Sequence, residues 1–407
     1  MRSLKSKIAL LIVTILICFI LGEASIRVLS KSDLDGNIIY RDVQFKPYKL
    51  PIKETRNKLL QYSREEINSR LLFDKKLGWT PHDNFISLDS MYIYNKDGFR
   101  YGSLSDTLQK NDAVRIMIFG DSYPHGDEVN FSGTIGYFLE KFFSDNNFNV
   151  DVLNFAVSGY GMDQAYLRWE EVKHKYKPDL VIFGVQFENV KRNINIIRPL
   201  YSPITEIPFT KPRFIIENNK FTMIDNPSNT INDLTNILNN FENWELKKYE
   251  GFYNQADYTN SFVFNSQLVA FVDAAYSRIF GEYEFFAKGS ESFDVTMQII
   301  NRFKRSVEKE GSQFVMVHFP VINDFALSNY LFSQIIYDQD LIYESLLDEI
   351  RANADLIEIY PYLKKWIENN STAELFITRH YSQTANKLIA KRIHKYLNLN
   401  YKIFSRR

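Results

Sequence analysis

Val-Arg-Ile-Met-Ile-Phe-Gly-Asp-Ser, residues 114–122, is the stretch on which the fold turns. Its apolar, β-branched run reads as a buried strand. Gly120-Asp121-Ser122 ends that run abruptly. A small hydroxyl is thereby set at the carboxyl end of a strand, the edge where open α/β sheets build their sites. Ser122 is a candidate nucleophile, and the remaining sequence is read for groups that would activate it.

Downstream, strand and helix patterns alternate. Residues 134–143 carry Ile135, Phe138, Leu139, Phe142 and Phe143 at helical spacing. Residues 150–155 read as a second strand, 164–176 as a helix and 180–184 as a third strand. Residues 195–290 break this rhythm; they are rich in Asn and aromatics, with helical stretches at 229–247 and 263–280. They read as an insertion or cap over the carboxyl edge. The rhythm returns with a helix at 293–310, a strand at 313–319, a helix at 340–353, a last strand at 355–360 and an amphipathic helix at 385–397. This order predicts a parallel sheet with helices on both faces. Residues 30–110 are a turn-rich lead-in packed on that domain of 111–400, and the basic residues 401–407 read as a solvated tail.

The 407 residues carry 49 basic and 49 acidic side chains, a net charge of zero. That balance gives no electrostatic footprint for nucleic acid. The single cysteine, Cys18, excludes an intrachain disulfide and a cysteine metal cluster. At the start, Arg2, Lys5 and Lys7 precede an apolar run from Ile8 to Leu21. Extended through Leu29, the segment 1–29 is long enough to span a bilayer, which takes roughly 20 residues. It reads as an uncleaved signal anchor; a cleaved signal ending near Gly22-Glu23-Ala24 is the other reading. Both keep the basic end in the cytoplasm and export the rest.

Four loops carry small polar groups in chain order. Ser122 follows the first strand, Gly159 the second and Asn189 the third, while His380 precedes the last helix. In a parallel sheet the first three loops emerge on one edge. The set suits acyl transfer: a histidine base activates the serine. The N–H groups of Ser122 and Gly159 and the Asn189 amide are candidate oxyanion donors. His125 is the rival base, with shaping the loop as its simpler role. His318, at a strand end, reads as a core residue, and Glu188 as structural.

Taken together, these residues resemble the SGNH (GDSL-type) hydrolase family. The first block matches Gly120-Asp121-Ser122, the second is similar to Asn154 through Gly161, the third to Gly184 through Asn189, and the fourth to His380-Tyr381-Ser382. The resemblance covers about residues 95–195 and 295–400. It implies a flavodoxin-like three-layer α/β/α fold and serine esterase or acyltransferase chemistry with no metal or organic cofactor. Ser122 would be the nucleophile, His380 the base, and Gly159 and Asn189 oxyanion donors. The anchor and the Leu77-Gly78-Trp79 and Gly98-Phe99-Arg100 segments resemble the membrane-anchored bacterial branch, often associated with cell-surface polysaccharide. An acylated carbohydrate or another ester is the implied substrate.

One departure stands out. The family usually places an aspartate two or three residues before the histidine, and here those positions hold Thr378 and Ile377. Glu374 is the substitute if the loop bends; otherwise a Ser-His dyad remains. A non-catalytic glycan-binding or assembly protein is the competing reading, and hydrolysis and acyl transfer both stay open.

Overall fold

The computed structural model describes residues 2–41, 43–101, 112–203 and 205–404. Residues 102–110 of the lead-in and 405–407 of the basic tail lie outside them.

Five strands form the central sheet: β1 (Val114–Phe119), β2 (Val150–Asn154), β3 (Leu180–Val185), β4 (Gln313–His318) and β5 (Leu356–Glu358). Every pairing is parallel and the spatial order is β2-β1-β3-β4-β5. This is the doubly wound order, with its switch point between β1 and β3. The helices used below are α1 (Arg2–Leu29), α2 (Ile135–Asp145), α3 (Met162–Tyr176), α4 (Gln267–Glu284), α5 (Glu291–Lys309), α6 (Leu327–Tyr337), α7 (Glu344–Asn353) and α8 (Gln383–Asn400).

The alternation of side chains along β1 explains the two helical layers. Ile116 and Ile118 point to one face and pack with Phe138 and Leu139 of α2 and Ile389 and Ile393 of α8. Met117 and Phe119 point to the other and pack with Trp169 of α3, Phe303 of α5 and Leu347 of α7. A sheet buried on both faces needs apolar residues at successive positions, which is why residues 116–119 of β1 and 180–185 of β3 read as continuous apolar runs.

A third apolar cluster joins the lead-in to the insertion. Leu59, Leu71 and Trp79 pack with Tyr160 and with Leu234, Leu238 and Phe241. The stretch 229–247 holds one short helix, Asp233–Asn239, followed by 3-10 turns. The 195–290 segment also contains a hairpin, Arg213–Glu217 with Lys220–Ile224, that its Asn-rich sequence did not signal. The reading of 401–407 as a solvated tail is corrected for its first residues. Tyr401 and Phe404 are buried, and the Phe404 ring stacks on Phe143 at 4.5 Å. Two aromatics outweigh the neighbouring basic groups in deciding where this segment lies.

Candidate active site

The turn after β1 is forced by packing. Gly120 has φ +149°, and a Cβ there would stand 2.3 Å from the Gly184 carbonyl oxygen of β3. Only glycine lets the two strand ends approach this closely. Asp121 then accepts from the Tyr123 amide and starts the short helix Ser122–His125. Its other carboxylate oxygen accepts from Gln186 at 3.0 Å, Asn189 at 3.1 Å and Arg192 at 3.1 Å. Asp121 is fully buried, so these donors are what makes its charge tolerable there.

Ser122 Oγ lies 2.9 Å from His380 Nε2. His380 Nδ1 lies 3.0 Å from Glu128 Oε1. The serine, the imidazole and a carboxylate are therefore in line, with the carboxylate on the imidazole nitrogen remote from the serine. Thr378, at the usual aspartate position, donates its amide to Glu128 Oε2 at 3.0 Å and its hydroxyl to Oε1. Burial pushes the Glu128 carboxyl up, but hydrogen bonds from Thr378 and His380 outweigh it and hold the group below the ordinary range.

Glu374 is not the orienting group. Its carboxylate accepts from the Ser371 amide at 3.2 Å, closing a capping box at the start of a 3-10 turn. The local bonds hold it away from the imidazole.

Glu128 is presented by a loop that the lead-in clamps. Its φ is +70°, a left-handed conformation uncommon outside glycine. The Glu128 amide donates to the Tyr92 hydroxyl at 3.0 Å. The buried Arg100 guanidinium donates to the carbonyls of His125, Gly126 and Val129 around it. Asp127 takes a two-pronged contact from Arg70, at 3.1 and 3.0 Å, and the Ser158 hydroxyl. His125, the rival base, is fully buried between Asp127 at 2.6 Å and the Tyr94 hydroxyl at 3.0 Å. Burial, against the pull of Asp127, lowers it to about 4. It braces the loop and does not reach Ser122. His318 is likewise buried, with Nε2 3.2 Å from the Tyr343 hydroxyl.

Ser122 opens into a cavity of about 1260 Å³ that Gly159, Arg192, Arg198, Tyr201 and His380 help to line. Gly159 has φ +81°, and a Cβ there would press on Ile207 Cδ1 at 2.9 Å and on the Arg198 guanidinium at 3.3 Å. The amides of Ser122 and Gly159 have no hydrogen-bond partner among the described residues. Asn189 differs from expectation. Its amide nitrogen spends both protons, one on Asp121 and one on the Tyr160 carbonyl at 2.9 Å, and its side chain is buried below the cavity. Asn189 therefore supports Asp121 instead of facing the cavity, where Arg192 and Gln186 stand. Arg198 donates to the Gly159 carbonyl at 3.0 Å, and burial and the Arg192 charge bring it down to about 10. Glu188 accepts from the Tyr201 hydroxyl on the cavity wall.

No family model and no curated protein matches the sequence. Solved structures do match. A lipolytic protein of the G-D-S-L family from Veillonella parvula is 10% identical with a TM-score of 0.36, over 72% of this chain and 99% of its own. An acetylxylan esterase from Geobacillus stearothermophilus is 11% identical with a TM-score of 0.39, over 74% and 99%. A lipase/acylhydrolase from Enterococcus faecalis is 11% identical with a TM-score of 0.34, over 70% and 94%. The fold rests on the chain's own strand order and its two helical layers. It is the flavodoxin-like three-layer α/β/α fold that the SGNH (GDSL-type) resemblance implies.

Proposed function

We propose that the protein is a membrane-anchored, exported serine esterase or acyltransferase acting on O-acyl groups of a cell-surface glycan. The observation that carries this reading is the line Ser122–His380–Glu128 at 2.9 and 3.0 Å, opening on a cavity. Ser122 Oγ attacks the ester carbonyl as His380 Nε2 takes its proton. The resulting oxyanion is met by the Ser122 and Gly159 amides. The C–O bond to the alcohol breaks and His380 returns the proton to the leaving oxygen, giving an acyl-Ser122. Water then attacks to release the acid, or a sugar hydroxyl attacks to accept the acyl group. Glu128 holds the imidazole in the tautomer that accepts from Ser122 and balances the imidazolium. It also removes the motive for the non-catalytic reading, which rested on a missing carboxylate.

Helix α1 fits the anchor. Within Leu4–Leu29 the most apolar 18 residues have a mean hydropathy of 2.5, and none of that stretch is buried. The basic N-terminus would remain in the cytoplasm and the α/β domain would be exported.

The test is full-length protein in detergent with p-nitrophenyl acetate and a fluorophosphonate probe. Turnover and a covalent label on Ser122, both lost in Ser122→Ala, are expected. Wild-type protein that neither turns over nor labels, with Ser122→Ala indistinguishable from it, overturns the reading. Comparing the acyl content of the surface glycan with and without the protein tests the substrate.

A further inference from the structure

Helix α1 does not leave the bilayer on a free linker. Its apolar run from Ile8 to Leu21 covers about 21 Å at 1.5 Å per residue, and with Lys5 and Lys7 reaching back to the near interface the helix from Leu4 to Leu21 covers about 27 Å, close to the roughly 30 Å of a hydrocarbon core. The next residues are bolted to the domain. Glu23 accepts from the Ser266 hydroxyl at 2.7 Å and from the amides of Gln267 and Leu268 at 3.1 and 2.9 Å, capping α4. Arg27 pairs with Glu23 and donates to the Asn265 carbonyl at 2.9 Å. Ile26 is buried with Phe45, Ala270 and Ala274. The start of α4 is therefore held at the level where α1 reaches the interface.

An apolar track leads away from that point. Phe262 and Val263, just before α4, are 90% and 55% exposed. Val272 and Tyr276 follow one turn apart on the exposed side of α4. The Tyr276 ring meets Phe280 at 4.7 Å, and Phe280 meets Phe332 of α6 at 5.7 Å. On α6, Leu331 and Ile335 are also exposed one turn apart. Phe332 lines the cavity, as do Arg278 and Glu282 of α4. Contiguous exposed apolar surface of this kind marks an interaction face. Aromatic and aliphatic side chains on a helix lying along the interface are the pattern of monotopic membrane contact.

We infer that the exposed faces of α4 and α6 dock onto the same bilayer that α1 crosses. The domain then lies on its side against the headgroup layer, with the mouth of the Ser122 cavity beside the membrane surface. The face fits this occupant because the bilayer is already at its edge, fixed there by the Glu23 cap.

The experiment uses the full chain with Cys18→Ser, reconstituted in phosphatidylethanolamine/phosphatidylglycerol vesicles. Val263→Cys, Val272→Cys, Ile335→Cys and Leu399→Cys each carry an environment-sensitive fluorophore, and a fraction of the lipid carries a headgroup spin label. All four positions are more than half exposed, so folding is tolerant of the change and is checked by the thermal midpoint. Leu399 is near the end of α8, remote in the chain from the His380 end of that helix. Quenching at 263, 272 and 335 at least threefold stronger than at 399 is expected. Quenching at 263 alone, with 272 and 335 no stronger than 399, overturns the docking. Shielding of 272 and 335 from soluble iodide without quenching by the labelled lipid also overturns it, and assigns the face to a second copy. The docking rests on the membrane anchor of the proposed function, but none of these readouts depends on ester turnover, so it and the esterase reading fail separately.

Discussion

Glu128 and His380 stand 252 positions apart and meet with Oε1 3.0 Å from Nδ1. The carboxylate thus comes from the loop that carries Ser122, and Thr378, at the position usually given to an acid, holds it there. The prediction is direct. Glu128→Gln lowers kcat/KM for p-nitrophenyl acetate by about 10²–10⁴, the scale on which losing an orienting carboxylate acts. Glu374→Gln leaves it within about twofold. Equal losses in the two variants would remove Glu128 from the relay.

Arg100 is expected to act on the reaction through that loop. Its guanidinium serves the carbonyls of His125 and Val129 together, which a lysine's single ammonium cannot copy. Arg100→Lys should lower kcat at least tenfold. The loss should be far from additive with Glu128→Gln, because both act through the same carboxylate. Full additivity in the double variant would show that Arg100 serves stability alone.

The buried histidines give stability a pH slope. Burial, with the nearby Arg351 charge, lowers His318 to about 3, against 6.5 when unfolded. The unfolded chain takes up a proton below 6.5 that the folded chain refuses. Stability is complete above 6.5 and falls toward pH 3, by up to about 1.4 kcal/mol per pH unit. His125 adds to the fall down to about 4. Burial raises Asp324 to about 6, which works in the opposite direction below that pH. The thermal midpoint should drop between pH 6.5 and 4, and His318→Phe should flatten the drop. An unchanged slope in that variant would rule His318 out as a source.

Gly159→Ala tests the second amide of the site. Its φ of +81° costs an alanine about 1–2 kcal/mol, and the new methyl would meet Ile207 Cδ1 at 2.9 Å. Turnover should fall by at least tenfold while the protein still folds, as read by melting and by rate on p-nitrophenyl acetate. Wild-type turnover would place the oxyanion elsewhere.

The sheet was legible because β1, β3 and β4 are buried on both faces and carry unbroken apolar runs. Ser122 and Gly159 were legible because strand ends in such a sheet converge, and His380 because His380-Tyr381-Ser382, just before the last helix, resembles the family's fourth block. Glu128 was not, since its sequence signal is only an acid after Gly126-Asp127 in an ordinary-looking loop. Its role depends on a positive φ and on Arg100, Tyr92 and Thr378, which only folding brings to the loop. Asn189 was read for its position; the buried charge of Asp121, with its demand for donors, decides where its amide points. The tail was read by its charge, whereas Tyr401 and Phe404 govern it.

Ser122 and Glu128 ride on one short loop, and His380 comes from a separate segment. A shift of the histidine segment against that loop therefore acts on both contacts of the imidazole together. Thr378, bonded to Glu128 from two residues before the histidine, ties that segment to the loop at a second point, so the register of the imidazole is set by both ends of one carboxylate.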